Sequence, residues 1–144
     1  MQIDGKAWRT IWPSPDGRAV SIIDQTRLPH VLEVVTLHTL ADAARAIADM
    51  QVRGAPLIGA TAAYGVALAM AEDSGDAQLA QARDILVSTR PTAVNLRWAL
   101  DRMLACLSPC PVAERRAAAF AEAARIADED VEVCSRIGDA GLAL

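Results

Sequence analysis

Aromatic side chains make up only 3% of the 144 residues, and there is no excess of positive charge, the formal net charge being −4. Such a chain offers no broad positive field to a nucleic-acid backbone or an anionic membrane, so neither is expected as a partner. A small anion is a different case, because a few arginines and helix N-termini hold one phosphate whatever the global charge. The three cysteines, Cys106, Cys110 and Cys134, are odd in number and lack secretory context. That argues against a disulfide framework and for a reducing compartment. The opening residues, Met1 to Lys6, contain no apolar signal core, and the cytoplasm is the expected location. No Walker-type loop or Rossmann fingerprint is present, since Gly54, Gly59 and Gly65 have the wrong spacing for either. Cys106 and Cys110 flank Pro109 and no further Cys or His completes a zinc set, so neither metal nor cofactor is expected. Gly54 to Ala71 runs without a charged side chain, which touches the lower length limit of a membrane span. Its Gly, Ala and Thr content and Pro56 dilute the hydrophobicity, so a buried core helix is the better reading.

What the chain does have is 53% hydrophobic residues, enough for one domain with a core. Alanine recurs from Ala41 onward, whereas strongly β-favouring residues cluster before Thr39. The expected class is α+β: a small N-terminal antiparallel β-sheet over residues 1–38, then a helical bundle over 39–144, together one compact domain. Residues 7–12 and 19–24 read as a hairpin around Pro13-Ser14-Pro15-Asp16-Gly17-Arg18, with a third strand over 31–37. Thr39 and Asp42 have capping-box spacing ahead of a helix over 40–50. Further helices are expected from about Pro56 to Glu72, over 77–88, over 93–107 with Thr92 as its cap, and over 112–137 closing at Gly138. Phe120, Ala127, Val131 and Cys134 lie on one stripe of the last helix, which makes Cys134 a buried small hydrophobe. Trp98 and Met103 read as core.

Two places share a design. Arg53 precedes Gly54-Ala55-Pro56 and a helix; Arg90 precedes Pro91-Thr92 and another. Each sets a guanidinium beside unpaired helix N–H groups, which suits a phosphate or a polyhydroxy sugar. The same residues also read as ordinary loop arginines, with Gly54 and Pro91 as helix punctuation. Asp24-Gln25-Thr26-Arg27 mixes charge, amide and hydroxyl groups in a loop that either reaches a ligand or is a solvated turn. His30 and His38 have no catalytic partner nearby in sequence and are assigned to structure or surface.

Three segments in register, Ile22 to Pro29, Ile47 to Gly59 and Ser88 to Leu96, resemble the methylthioribose-1-phosphate isomerase family of methionine salvage. The resemblance implies an aldose–ketose isomerase acting on a phosphosugar without a metal, in a homodimer. By position it implies substrate-binding roles for Arg53, Gly54, Ala55 and Arg90. In that family the catalytic cysteine and aspartate belong to a Rossmann-like domain beyond the position of Leu144, and Cys134 is not the matching cysteine. The resemblance therefore implies no catalytic residue within these 144 residues, negligible turnover by them alone, and an exposed apolar face on the helices from Gly54 onward or on the last helix. Ribose-1,5-bisphosphate isomerases and regulatory subunits of the guanine-nucleotide exchange factor for translation initiation share the superfamily. They give the alternatives: another sugar phosphate, or a module without catalysis.

Overall fold

The computed structural model describes residues 2–3 and 5–142. A short ribbon of β1 (Gln2–Ile3) and β2 (Lys6–Ala7) precedes a three-stranded antiparallel sheet, ordered β3 (Ile11–Pro13), β4 (Val20–Ile23) and β5 (Val34–Leu37). The expected hairpin is the β3–β4 pair, with Pro13 opposite Val20. Gly17 supplies its left-handed turn residue at φ +61, and the Ser14 hydroxyl accepts the Arg18 and Ala19 amides. Two strands are shorter than expected. The span over 7–12 divides, because residues 6–7 pair with β1 while 11–13 pair with β4. The third strand starts at Val34, since the amides of His30 and Val31 are both committed to the Arg27 carbonyl, at 3.1 Å each.

The helices are α1 (Leu40–Ala48), α2 (Ala55–Glu72), α3 (Asp76–Thr89), α4 (Val94–Leu107) and, after a 3-10 turn at Val112–Glu114, α5 (Arg115–Leu142). The capping box at α1 is present: the Asp42 amide donates to the Thr39 hydroxyl and the Asp42 carboxylate accepts from the Thr39 amide, both at 3.1 Å. The central element is α2. Its residues 57–70 are all buried and it packs against each of the other four helices. By length and composition it would pass for a membrane span, yet an all-round apolar helix is equally what the centre of a bundle requires. Small side chains let its neighbours approach. A Cβ on Gly65 would lie 3.0 Å from the Ala43 methyl and 3.2 Å from both Leu86 methyls, and one on Gly59 would lie 3.0 Å from the Asn95 carbonyl oxygen. Ile11, Val20, Ile22 and Leu37 of the sheet belong to the same apolar cluster as the helix interiors.

The last helix departs from expectation. It begins at Arg115, runs through Gly138 and ends at Leu142. Gly138 does not have positive φ, so it is not a left-handed cap, and no proline follows to stop the helix. With 28 residues against 18 in α2, α5 outruns its packing partner by about 15 Å at 1.5 Å per residue. Residues 131–142 are consequently all exposed, Cys134 among them. Trp98 is also 49% exposed, while Met103 is fully buried as expected.

Polar ties hold the helix ends. Arg115, 4% exposed, donates to the carbonyls of Ser74, Leu107 and Cys110 at 3.0–3.1 Å, closing the bundle where α3, α4 and α5 meet. Arg102 of α4 donates to Glu122 and to both oxygens of Glu129 on α5. At the other end, Asp24 is 6% exposed. One of its oxygens accepts from the Thr26 amide (2.9 Å) and hydroxyl (2.6 Å), and the other from Gln51 Nε2 (3.1 Å). The Gln25 amide adds a bond to the Gln51 carbonyl at 2.9 Å. The sheet thereby grips the segment between α1 and α2.

Burial pushes the Asp24 carboxyl upward, but hydrogen bonds from Thr26 and Gln51 and the charge of Arg27 outweigh it, so the carboxyl titrates below its ordinary range. A depressed folded-state pKa contributes stability above the unfolded value of about 3.9, and that contribution is lost as pH falls through the folded value. Asp24→Asn should therefore lower stability at neutral pH by about 1–3 kcal/mol, and thermal unfolding from pH 7 downward should show the gap to the unaltered chain closing below about pH 4. In the core, Gly65→Val should destabilise by about 1–3 kcal/mol through overpacking against Ala43 and Leu86, read as a lowered denaturant midpoint.

Candidate functional site

The two arginine motifs meet in one cleft. A cavity of about 420 Å³ is lined by Arg53, Gly54 and Ala55 from the start of α2 and by Arg90 and Asn95 around the start of α4, with Met50 and Val94 beside them. What brings the helix mouths together is the close approach of Gly59 to the Asn95 carbonyl. Gly54 caps α2 at φ 89, ψ 134 with Pro56 in the first turn. Positive φ dictates glycine there, because space does not: a Cβ would meet nothing within 4 Å. Arg90 caps the end of α3, and the chain turns at once. The Ala93 amide donates to the Arg90 carbonyl (3.0 Å) and Arg97 Nη2 to the Pro91 carbonyl (3.3 Å). That turn delays the helix by one residue. Ala93, not Thr92, is the cap of α4, it makes no side-chain hydrogen bond, and Thr92 lines the cleft instead.

The electrostatics favour an anion. Neither α2 nor α4 has a side-chain cap or an acidic residue in its first turn, so the first-turn amides keep their unpaired N–H groups and the positive end of the helix dipole. Arg53 is exposed and its Nε donates to the Met50 carbonyl at 3.4 Å. Arg90 is half-buried. Among the described residues neither guanidinium has a carboxylate within ion-pair distance, whereas Arg9, Arg27, Arg45, Arg83, Arg102 and Arg115 all do. The described residues lining the cleft include no Asp, Glu, His or Cys. The cleft can hold a charged, hydroxylated ligand; it has no group to exchange a proton with one near neutral pH.

The remaining sequence candidates lie elsewhere. Asp24, left open between ligand reach and a solvated turn, is instead a buried support for residue 51, as described above. Hydrophobicity patterns cannot reveal that role, although an acid two residues before a Thr is a recognisable Asx-turn signal. His30 and His38 are exposed and outside the cleft. Burial, and then the nearby Glu122 carboxylate, push the Cys106 thiol upward, away from a thiolate nucleophile. Among the described residues no cluster of three His, Cys, Asp or Glu could hold a metal ion. The exposed apolar side chains include Val94, Trp98, Val133 and Ile137. Trp98 and Val133 share a second, smaller pocket with Pro56 and Gly59.

Comparison with known proteins agrees with the motifs. The chain is 59% identical over all 144 residues to a methylthioribose-1-phosphate isomerase of Paramagnetospirillum magneticum, and spans 40% of that protein's length. A crystal structure of 5-methylthioribose 1-phosphate isomerase from Pyrococcus horikoshii OT3 superposes with a TM-score of 0.80 at 38% identity, over 88% of this chain and 38% of that one. The translation initiation factor eIF-2B, subunit delta, from A. fulgidus does so at 0.79 and 40% identity, with the same coverage. The α+β arrangement is thus shared by both kinds of protein. Residues 51–144, which carry both arginine motifs and α2 to α5, match the Initiation factor 2 subunit family, and the chain belongs to that family.

Proposed function

We propose that the chain provides the phosphosugar-binding part of an aldose–ketose isomerase that converts 5-methylthioribose 1-phosphate to 5-methylthioribulose 1-phosphate in methionine salvage. The observation that carries this reading is the convergence of Arg53, Gly54, Ala55 and Arg90 on one cleft with both guanidiniums free of carboxylates. The likeness to named isomerases supports the substrate class. In the proposed complex the anionic ligand takes charge-assisted hydrogen bonds from Arg53 and Arg90 and backbone bonds from the first turns of α2 and α4. The β-rich residues 1–38 and the helical residues 39–144 act as one domain, with Asp24 holding the Arg53 segment in place. A phosphate on the anomeric carbon blocks ring opening through a free aldehyde. The reaction must therefore break the bond between C1 and the ring oxygen, which takes up the proton of the C2 hydroxyl, while the hydrogen on C2 passes to C1 and the C2 oxygen becomes the carbonyl. Since the cleft's described residues include no acid or base, the role of this chain is to bind and orient, and its turnover alone is negligible. The homodimer, the cytoplasmic location and the absence of nucleic-acid and membrane partners belong to the same proposal.

A purely regulatory module has no physical need for two unpaired arginines at neighbouring helix mouths, which favours the isomerase over that alternative. Titration calorimetry with methylthioribose 1-phosphate tests the reading. Arg53→Ala and Arg90→Ala should each weaken binding about ten- to a hundredfold, the loss expected when a hydrogen bond to a charged group is removed. Unchanged affinity in both variants would remove the proposed grip. Tighter binding of ribose 1,5-bisphosphate would redirect the substrate assignment. Measurable isomerisation by the purified 144-residue chain would contradict the division between binding and chemistry.

A further inference from the structure

Among the described residues, Met50 is the non-glycine residue with positive φ, at 58°. It follows the Asp49 cap of α1, its amide donates to the Ile47 carbonyl at 3.3 Å, and two residues later the Val52 amide donates to Ala46 at 3.3 Å. This is the left-handed position after a helix end, where glycine or asparagine is the ordinary choice because a Cβ is strained there. A long unbranched side chain at such a site calls for a reason, and core packing is not it. Ile47 and Val52 on either side are fully buried, while Met50 is 47% exposed. Met50 lines the cleft that holds Arg53 and Arg90, as do Ile58 and the exposed Val94. The cleft therefore carries an apolar wall as well as its cationic one.

We infer that Met50 determines specificity for the substituent on C5 of the sugar, by packing its thioether against the ligand's methylthio group. This inference rests on the phosphosugar reading above. A methylthio group offers apolar, polarisable surface that a methionine side chain matches well. The 5-hydroxyl of ribose 1-phosphate would lose water against the same side chain and gain no hydrogen bond. Strain at a ligand-facing residue is a pattern found where the surroundings over-determine a conformation for function. The backbone at Met50 acts separately from its side chain. Its carbonyl accepts from Arg53 Nε, so the corner aims the arginine while the side chain meets the sugar's apolar end.

The test pairs two ligands with variants that keep the corner folded. Met50→Gly removes the side chain and suits positive φ, so its thermal midpoint should hold or rise; Met50→Asn tolerates the same geometry and is polar. Both should weaken methylthioribose 1-phosphate about tenfold or more, as expected for a lost apolar contact, and leave ribose 1-phosphate as tightly bound or tighter, because the side chain that strips water from its 5-hydroxyl is gone. Arg53→Ala should weaken both ligands alike. Equal losses for the two ligands in Met50→Gly would overturn the inference, because Met50 would then act only through the arginine it orients. No change for either ligand would overturn it as well. If the unaltered chain binds neither sugar phosphate, the phosphosugar reading fails and this inference falls with it.

Discussion

The close approach of α2 to α4 at Gly59 is the contact on which the site depends. With the Asn95 carbonyl oxygen 3.0 Å from where a Cβ would stand, and the Ala99 methyl at 3.4 Å, the two helices come as near as backbone allows. Their first turns then border a single cleft. A larger residue at 59 would push on backbone, which cannot yield as a flexible side chain does, and would part the two mouths. The same logic runs along α2, where Gly65 admits Ala43 and Leu86. A helix uncharged up to its last residue and rich in small side chains is a poor candidate for an exposed surface and a good one for an axle around which four helices and a sheet are placed.

Charge is arranged to complement that geometry. The acidic residues that give the chain its net negative charge are used as partners elsewhere: Glu122 and Glu129 take Arg102, Asp128 takes Arg9, and Asp76 takes Arg115. None is committed to Arg53 or Arg90. The exposed Arg9–Asp128 pair contributes little stability by itself, whereas Arg115 and Glu122 are buried and need their partners. These pairs tie α4, α5 and the N-terminal segment together and leave Arg53 and Arg90 without a carboxylate where helix dipoles already favour an anion. The buried Asp24 shows the converse arrangement, a carboxylate satisfied by neutral donors and used to fix the segment carrying one of those arginines.

Local chemistry was what the sequence expressed most legibly. The Thr39–Asp42 capping box, the Asp16-Gly17 hairpin turn and the polar loop after Glu72 are each decided by residues within a few positions, and each appears as expected. The arginine pair was legible for the same reason, since proline, glycine and a helix start can be read from adjacent residues. That the two sites share one cleft was not legible, because it depends on a contact between Gly59 and Asn95, far apart in sequence. Thr92 misled because a threonine before a helix is a strong cap signal, yet the Arg90–Ala93 turn consumed the position. Trp98 and Cys134 misled because helical periodicity identifies a stripe without saying how far the covering helix extends.

The reach of α5 beyond its cover bears on the cleft itself. The stripe of α5 is continuous through Ile126, Ala127, Val131 and Cys134, but α2 covers only its first part, and Val131 already shares a pocket with Leu57 near the beginning of α2. Val133 still borders Pro56, Gly59 and Trp98, and from Cys134 to Leu142 the helix is exposed at the end of the bundle where α2 and α4 start. Of the apolar side chains at this end, Val94 lines the cleft and is 78% exposed, and Trp98 and Val133 are 49% and 42% exposed. An anion held as proposed by the exposed Arg53, the half-buried Arg90 and uncapped helices tolerates that exposure, because its contacts are charge-assisted. The cleft's described residues supply two guanidiniums and uncapped first-turn amides but no carboxylate, imidazole or thiol, and the proposed division between binding and chemistry rests on that asymmetry.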